Sequence, residues 1–404
     1  MTQIKIGLIR EGKVPPDKRV AFTPTQTKEI EQRFPQVKII CEPSEIRCFS
    51  DSEYRNLGIE VSDVYTCDIL MGIKEVPVKD LLANKTYLFF SHTIKKQPYN
   101  RRLLQEVLKK NIRLIDYEAL KDTQDNRLVA FGRYAGIVGA YNGLWVYGNR
   151  YNQYKLRRAH ECFDINDLKI ELRKVVLPPI KIALTGAGRV AKGAMETLDT
   201  VGIRKVSPAE FLNQSFNEPV YTQLSSADYH SRKEGGSFNR EEFHQHPDRY
   251  HSEFKKFTKT ADILLGGAYW NPKAPKLFSA EDMKSIDFKI KIVADITCDI
   301  DGSIPCTQRP TSIPDPIYDY NPAKGTTEPS FSHENFITVM AVDNLPCELP
   351  RSASEEFGRD LIDKIIRPLL GEDHEKIIER ATIAKNGKLT PYFSYLQDYV
   401  TQSS

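Results

Sequence analysis

The feature that most constrains this chain is an alternation of apolar, strand-like runs with amphipathic helical stretches, in two successive rounds. The first round holds "IKIGLIRE", "VKIICEP", "DILMGIKE", "TYLFFSHT" and "IRLIDYEAL". Polar helical stretches lie between them, such as "TPTQTKEIEQRF", with Thr23 as N-cap and Pro24 at the first helical position, and "QPYNRRLLQEVLKKN". The second round begins at "PIKIALTGAGRVAKGAMETLDTVGI" and continues through "TADILLGGAYW", "FKIKIVADITCDI" and "FITVMAVDNLP". Such alternation builds parallel sheets with helices on both faces. At 404 residues the chain is too long for one ordinary core. The expected fold is therefore α/β, with two Rossmann-like domains, parallel sheets and a cleft between them.

Between the rounds, "VAFGRYAGIVGAYNGLWVYGNRY" is rich in small residues and lacks strand alternation, which suits a long connecting helix packed closely on its neighbours. The closing residues, from "PRSASEEFGRDLIDKIIRPLLG" on, read as helical and fold back on the first domain. This predicts a discontinuous first domain, residues 1–136 plus 347–404, and a second domain, residues 137–346. Within the second domain, residues 214–259 turn polar and read as a mostly helical, exposed excursion. His244, His246 and His251 lie there without the i, i+4 pair and third ligand of a zinc helix, so they read as solvated and no metal is expected.

Composition narrows the function classes. Hydrophobic content of 40% with 27% charge is that of a soluble globular protein, and a net charge of +3 gives no case for nucleic acid or a membrane surface. No apolar run approaches the ~18–20 residues of a membrane span, and "MTQIKIGLIREGK" does not read as a signal peptide. Seven scattered cysteines without a CxxC pair read as reduced thiols in a cytoplasmic protein.

"IKIALTGAGRVAKGA" sets Gly186, Gly188 and Ala191, with Arg189 and Val190 between them, in a GxGxxA pattern after a strand and at the start of a helix. The first glycine permits the tight turn, the second admits a pyrophosphate, and the helix start offers it a positive end. An ordinary glycine-rich turn is the competing reading. The fingerprint expects an acid ~20 residues later to hold a ribose hydroxyl. Here "GIRKVSPAEF" offers Arg204, Lys205 and Ser207 before Glu210. That tilts the cofactor toward NADP(H), with NAD(H) left open because Glu210 or Asp228 could reach the ribose.

In an open parallel sheet, ligands bind outside the carboxyl ends of the strands. The first-round strands end on Arg10 and Glu11, on Lys74 and Glu75, on His92, and on Asp116 and Glu118. A lysine and a histidine at one edge suit acid–base work at an amine or carbonyl carbon. Neighbouring cations and partial burial lower a lysine pKa, while Glu75 and Glu118 limit that shift. Arg19 and Arg127 flank the region and could grip substrate carboxylates, or be surface arginines. The competing reading of Lys74 and His92 is that they merely close two strands.

With these residues in view, "REGKVPPDKRVAFTP", "GIKEVP", "SHTIKKQ", "DYEAL" and "RLVAFGRYAGIVGA" resemble the alanine dehydrogenase and transhydrogenase superfamily. More specifically they resemble its saccharopine dehydrogenase (L-lysine-forming) branch. "FHQHPDRYHSEF", "ILLGGAYWNPKAPKL", "ADITCDIDGSI", "AVDNLPCELPRSASEEFG" and "IAKNGKLTPYFSYLQDYV" resemble the lysine–2-oxoglutarate reductase portion of aminoadipic semialdehyde synthases. The resemblance implies acid–base roles for Lys74 and His92, tuned by Glu75 and Glu118. It implies substrate binding by Arg19 and Arg127, joined by Lys95 of "SHTIKKQ" and Tyr134 of "GRYAGIVGA". On the cofactor side it adds Ser207, Tyr269, Asp295 and Asp343, the last near the nicotinamide.

The implied reaction is saccharopine + NAD(P)+ + water = L-lysine + 2-oxoglutarate + NAD(P)H, with small molecules as the only expected partners. The fungal NAD-dependent branch has an acid at its ribose position, and this chain lacks a clear equivalent, which puts the choice of cofactor in doubt. The bifunctional enzymes' second, glutamate-forming domain does not follow, so one step is expected. An alanine dehydrogenase or another amino-acid dehydrogenase on the same scaffold is the nearest alternative. A non-catalytic dinucleotide-binding sensor is the alternative of another class. Oligomeric state is not legible.

Overall fold

The structure is a computed structural model and describes residues 3–402. Six strands come first: β1 (Ile4–Leu8), β2 (Val37–Cys41), β3 (Glu60–Val61), β4 (Ile69–Met71), β5 (Thr86–Phe89) and β6 (Arg113–Asp116). The middle of the chain holds β7 (Lys181–Thr185), β8 (Arg204–Lys205), β9 (Val220–Leu224), β10 (His230–Arg232), β11 (Tyr250–Ser252) and β12 (Ile263–Gly266). It continues with β13 (Ile292–Asp295), β14 (Ile317–Asn321), β15 (Thr326–Glu328) and β16 (Ile337–Met340). A final pair, β17 (Thr382–Lys385) and β18 (Lys388–Leu389), closes the series. The chain divides into two compact units, Met1–Phe131 with Pro350–Ser404, and Gly132–Leu349.

The first unit is built on an eight-stranded sheet of order β18-β17-β6-β5-β4-β1-β2-β3. From β6 to β3 all neighbours are parallel. The chain leaves β1 toward β2 and β3, then returns to place β4 on the other side of β1. The strand order therefore reverses between β1 and β4, and that is the switch point of the sheet.

The helix Pro24–Arg33 starts as its sequence dictates. Thr23 caps it, Gln26 completes a capping box, and Pro24 opens the first turn. The helix Pro350–Lys364 packs back onto this unit. Phe357 stacks on Phe131 at 4.4 Å and meets Tyr117 edge-on at 5.1 Å, while Ser354 Oγ accepts from the Val20 amide at 2.9 Å. The tail is not all helical as expected. Its "KNGK" turn places Asn386 and Gly387 at positive φ and folds β17 and β18 into a hairpin, with β17 antiparallel to β6.

The second unit carries an eight-stranded sheet of order β15-β14-β16-β13-β12-β7-β9-β8, parallel from β16 to β8 with β14 and β15 antiparallel at one edge. The 19-residue helix Gly132–Arg150 crosses the helix Arg189–Val201 at backbone contact. A Cβ on Gly136 would lie 1.9 Å from the Val190 carbonyl oxygen, and one on Gly193 would lie 1.9 Å from that of Arg133. The small residues of this helix are thus a packing requirement.

Residues 214–259 differ from the helical excursion expected. They contain β9, a buried strand paired with β7, because "VYTQL" is a β-branched and aromatic run inside polar surroundings. They also contain the antiparallel pair β10–β11. Around that pair Phe238, Phe243 and Tyr250 cluster, and Glu242 accepts from Tyr250, Arg232 and Arg249. His251 pairs with Glu253 there. Among the described residues no helix is long and apolar enough to cross a membrane.

Candidate active site

In the first unit, parallel strands β1, β4, β5 and β6 bring their carboxyl ends to one edge. The loops that leave them carry Glu11, Lys74 with Glu75, His92, and Glu118. Lys74 follows β4 at the switch point. Burial lowers its pKa first, and the neighbouring Arg19 and Lys13 cations lower it further against the opposing pull of Asp17 and Glu75. A lysine so placed spends more of its time as the neutral amine.

Beside it runs a relay of three side chains. Lys13 Nζ lies 3.0 Å from Glu75 Oε2, and Glu75 Oε1 lies 2.6 Å from His92 Nδ1. Burial raises the Glu75 pKa, but the bonds from His92 and Lys13 outweigh it and hold the carboxyl down at about 2. An ionised Glu75 can only accept, so His92 Nδ1 donates to it and Nε2 is the ring nitrogen outside that bond. The ring is nearly parallel to that of Phe90, with centroids 6.4 Å apart. His92 itself adopts a left-handed backbone, φ +53°, as does Lys96, and the two bracket a tight turn of Thr93–Lys95. Buried Asp116 ties this loop to the next one: its carboxylate accepts from the Ser91 amide at 3.0 Å and the Glu118 amide at 2.7 Å.

The cationic side of the site is made by Arg127 and Lys95, whose nitrogens lie 3.6 Å and 3.7 Å from Glu118 Oε1. Both are partly exposed, at 38% and 50% of the side chain. Arg19 is placed otherwise than expected. It is 3% exposed, and its guanidinium is committed to Asp17 through Nε at 3.0 Å and Nη2 at 2.5 Å, over the Phe131 ring. In this position the Arg19 charge also lowers the Lys74 pKa. Tyr134 belongs to the second unit, where it is buried in the helix Gly132–Arg150 under Arg133.

The second unit carries the dinucleotide fingerprint where the sequence set it. β7 runs into Gly186, whose φ of +105° admits the turn, and a Cβ there would lie 2.8 Å from the Gly267 carbonyl oxygen. Gly188 caps the helix Arg189–Val201 and would place a Cβ in open space, so the backbone is accessible to a phosphate at the helix start. Val190 and buried Ala191 follow on that helix. Tyr269 follows β12 and is 87% exposed, and Asp343 is exposed after β16.

Two cofactor candidates are engaged within their own loops. Asp295 is 1% exposed, and its carboxylate accepts from Thr297, Cys298 and Thr307, which pins the loop after β13. Ser207 caps the short helix Pro208–Asn213, in a capping box with Glu210, after the edge strand β8. The strand beside β7 is β9, and β8, which opens "GIRKVSPAEF", lies beyond it at the sheet edge, so the loop next to the fingerprint is the one at the end of β9. There Ser225 stands, and the Asp228 carboxylate is taken by the Ser225 amide and hydroxyl, both at 2.7 Å.

Lys13, Asp17 and Ser225 were not singled out from the sequence. The first two lie in the charged "REGKVPPDKR" run between the first strand and helix, which was the available signal.

Residues 7–138 match the family model for the alanine dehydrogenase/PNT N-terminal domain. The chain is 31% identical over 409 residues to the mitochondrial alpha-aminoadipic semialdehyde synthase of Mus musculus, an alignment covering 89% of this chain and 44% of that protein. The chain thus spans less than half the length of that relative. It is 25% identical over 408 residues to the saccharopine dehydrogenase (NAD(+), L-lysine-forming) of Emericella nidulans, covering 95% of this chain and 97% of that one. A solved L-alanine dehydrogenase superposes with a TM-score of 0.67 over 98% of this chain and 100% of its own, at 14% identity. These similarities bear out the resemblance read from the motifs and the α/β fold with two Rossmann-like sheets.

Proposed function

We propose that this chain is an NAD(P)-dependent oxidoreductase that interconverts saccharopine with L-lysine and 2-oxoglutarate. The observation that carries the reading is Lys74, with its lowered pKa, at the switch point of the first sheet beside the Lys13–Glu75–His92 relay. Its further support is the similarity to the Emericella nidulans protein whose name carries saccharopine dehydrogenase (NAD(+), L-lysine-forming) activity.

The nicotinamide supplies the hydride acceptor or donor, and Gly186, Gly188 and the start of the helix Arg189–Val201 would hold its phosphates. The protein's own part is proton management. In the lysine-forming direction, neutral Lys74 takes the proton from the secondary amine of saccharopine as that nitrogen becomes an imine. His92 Nε2 then shuttles protons as water adds to the imine carbon and lysine departs, while Glu75 holds the ring in one tautomer. Arg127 and Lys95 meet substrate carboxylates, and Arg19 keeps Lys74 from holding a proton too tightly.

The cofactor we favour is NADP(H). The end of β9 offers Ser225 where an acid would repel a 2′-phosphate, and Asp228 is occupied in its own cap. Scattered cysteines without a CxxC pair suit a reducing compartment such as the cytoplasm. The test is nucleotide oxidation with lysine plus 2-oxoglutarate against pyruvate plus ammonia. Comparable or faster turnover of pyruvate would assign the chain to alanine dehydrogenase chemistry instead.

A further inference from the structure

We infer that Glu11 is a positioning residue that fixes Lys74 by clamping the backbone on which it stands. The inference rests on the role proposed for Lys74 above. Glu11 leaves β1 and reaches across the switch point to the loop after β4. Its Oε1 accepts from the Ile73 amide at 2.6 Å and its Oε2 from the Lys74 amide at 2.9 Å.

The position of those two bonds in the sheet gives them their meaning. The backbone ladder between β1 and β4 continues to the bond from the Ile9 amide to the Met71 carbonyl, at 3.0 Å. On the β5 side it runs further, with the Gly72 amide donating to Leu88 at 3.0 Å and the Phe90 amide to the Ile73 carbonyl at 2.9 Å. On the β1 side the Glu11 side chain takes over where the strand has turned away. It gives two loop amides the partners that half-buried backbone requires. The fit is close: a Cβ on Gly72 would lie 3.2 Å from Glu11 Oε1.

The grip depends on both carboxylate oxygens accepting. Burial pushes the Glu11 carboxyl up to about 8; Asp17 adds to the rise, and the Ile73 and Lys74 amides and Arg19 oppose it. The fully buried Tyr117 hydroxyl, from the turn after β6, feels the same charge. A protonated carboxyl makes one of its two oxygens a donor and a poorer acceptor, so one of the two amide bonds weakens. The clamp is therefore complete on the alkaline side of that transition and loosens on the acid side.

Glu11→Gln tests this, since it preserves shape but offers one acceptor oxygen. Two readouts are taken on folded protein. One is kcat for lysine plus 2-oxoglutarate with the cofactor KM beside it. The other, which needs no substrate, is the pH dependence of amine labelling at Lys74, read by mass spectrometry with Lys13 and Lys95 as references. The expected result is a kcat lower by up to about 100-fold, an unchanged cofactor KM, and a Lys74 titration moved toward that of an ordinary lysine. Glu11→Asp, one methylene too short to span both amides, should behave alike and serves if the glutamine variant does not fold. A Lys74 titration identical to the parent's overturns the inference, whatever happens to kcat. Should the parent fail to turn over lysine plus 2-oxoglutarate, the proposed reaction falls while the Lys74 titration still decides the role of Glu11.

Discussion

His92 Nδ1 lies 2.6 Å from Glu75 Oε1, and the other oxygen of that carboxylate is held by Lys13 at 3.0 Å. Glu75 is thus shared between a cation and an imidazole, and only the imidazole has a second nitrogen with which to pass a proton on. Lys74, on the neighbouring residue, is set by burial and by Arg19 to give up its own proton more readily. A lysine and an imidazole on neighbouring loops, joined through Glu75, are the kinds of group that a reaction with two proton transfers uses.

Lys74→Met and His92→Gln should each lower kcat, by something within the ~10²–10⁴-fold typical of a lost acid–base group. Cofactor affinity, read by nucleotide fluorescence, should stay at the parent value, since the fingerprint glycines belong to the other unit. The double variant should lose less than the product of the single losses, because the two act on one proton path. Folded Lys74→Met protein that turns over saccharopine at the parent rate would falsify the mechanism.

Glu75→Gln should act through pH. Loss of the negative charge removes one influence that raises the Lys74 pKa, so the limb of the pH–rate profile governed by Lys74 ionisation should move to lower pH. The same change has a sign in stability. The Glu75 pKa is depressed in the fold from 4.5 to about 2, so its contribution is present above the unfolded value and lost as pH falls toward the folded one. Between those two values the parent should lose on the order of 1–3 kcal/mol that the variant never had. Denaturant melts at neutral and acid pH measure it, and parallel stability curves for the two proteins would contradict it.

Cofactor choice should be governed from the end of β9. Ser225→Asp introduces a charge where the 2′-phosphate is proposed to lie, and the ratio of kcat/KM for NADPH over NADH should fall by at least about tenfold, or 1.4 kcal/mol. Ser207→Ala and Glu210→Gln, which alter only the cap after the edge strand, should leave the ratio where it was. A ratio that responds to Ser207 and ignores Ser225 would return the ribose site to "GIRKVSPAEF".

Local pattern and strand order were legible to different degrees. Lys74, Glu75, His92 and Glu118 could be found because apolar runs ending on ionisable groups are a one-dimensional signal, and parallel pairing carries those ends to one edge. The neighbour of β7 could not be found by counting residues, since which strand pairs with it is decided by tertiary packing. Val220–Leu224 was masked by the polar residues around it. Asn386–Gly387 was a readable hairpin signal that the helical appearance of the tail obscured. Arg19 looked like a free grip because its bond to Asp17, two residues before it, exists only in the folded loop.

The tail should also steady the loop that follows His92. The Tyr399 hydroxyl donates to the Gln97 carbonyl at 2.5 Å, Arg101 lies over the Tyr399 ring at 5.3 Å, and Gln105 Nε2 donates to the Val400 carbonyl at 2.8 Å. Lys96 lies over the Tyr395 ring at 5.4 Å. His92 and Lys96 hold left-handed backbone in this loop, a conformation that persists where its surroundings impose it. Tyr399→Phe removes the hydroxyl and leaves the Gln97 carbonyl without that donor, at a cost of about 0.5–1.5 kcal/mol. The loss should be local. Amide hydrogen exchange across residues 92–101 should quicken while the exchange of β5 and β6 stays as in the parent, and kcat should fall more than any KM rises. Were the tail merely attached, exchange in the His92 loop would not change. In that case the Tyr399 hydroxyl plays no part in holding the loop.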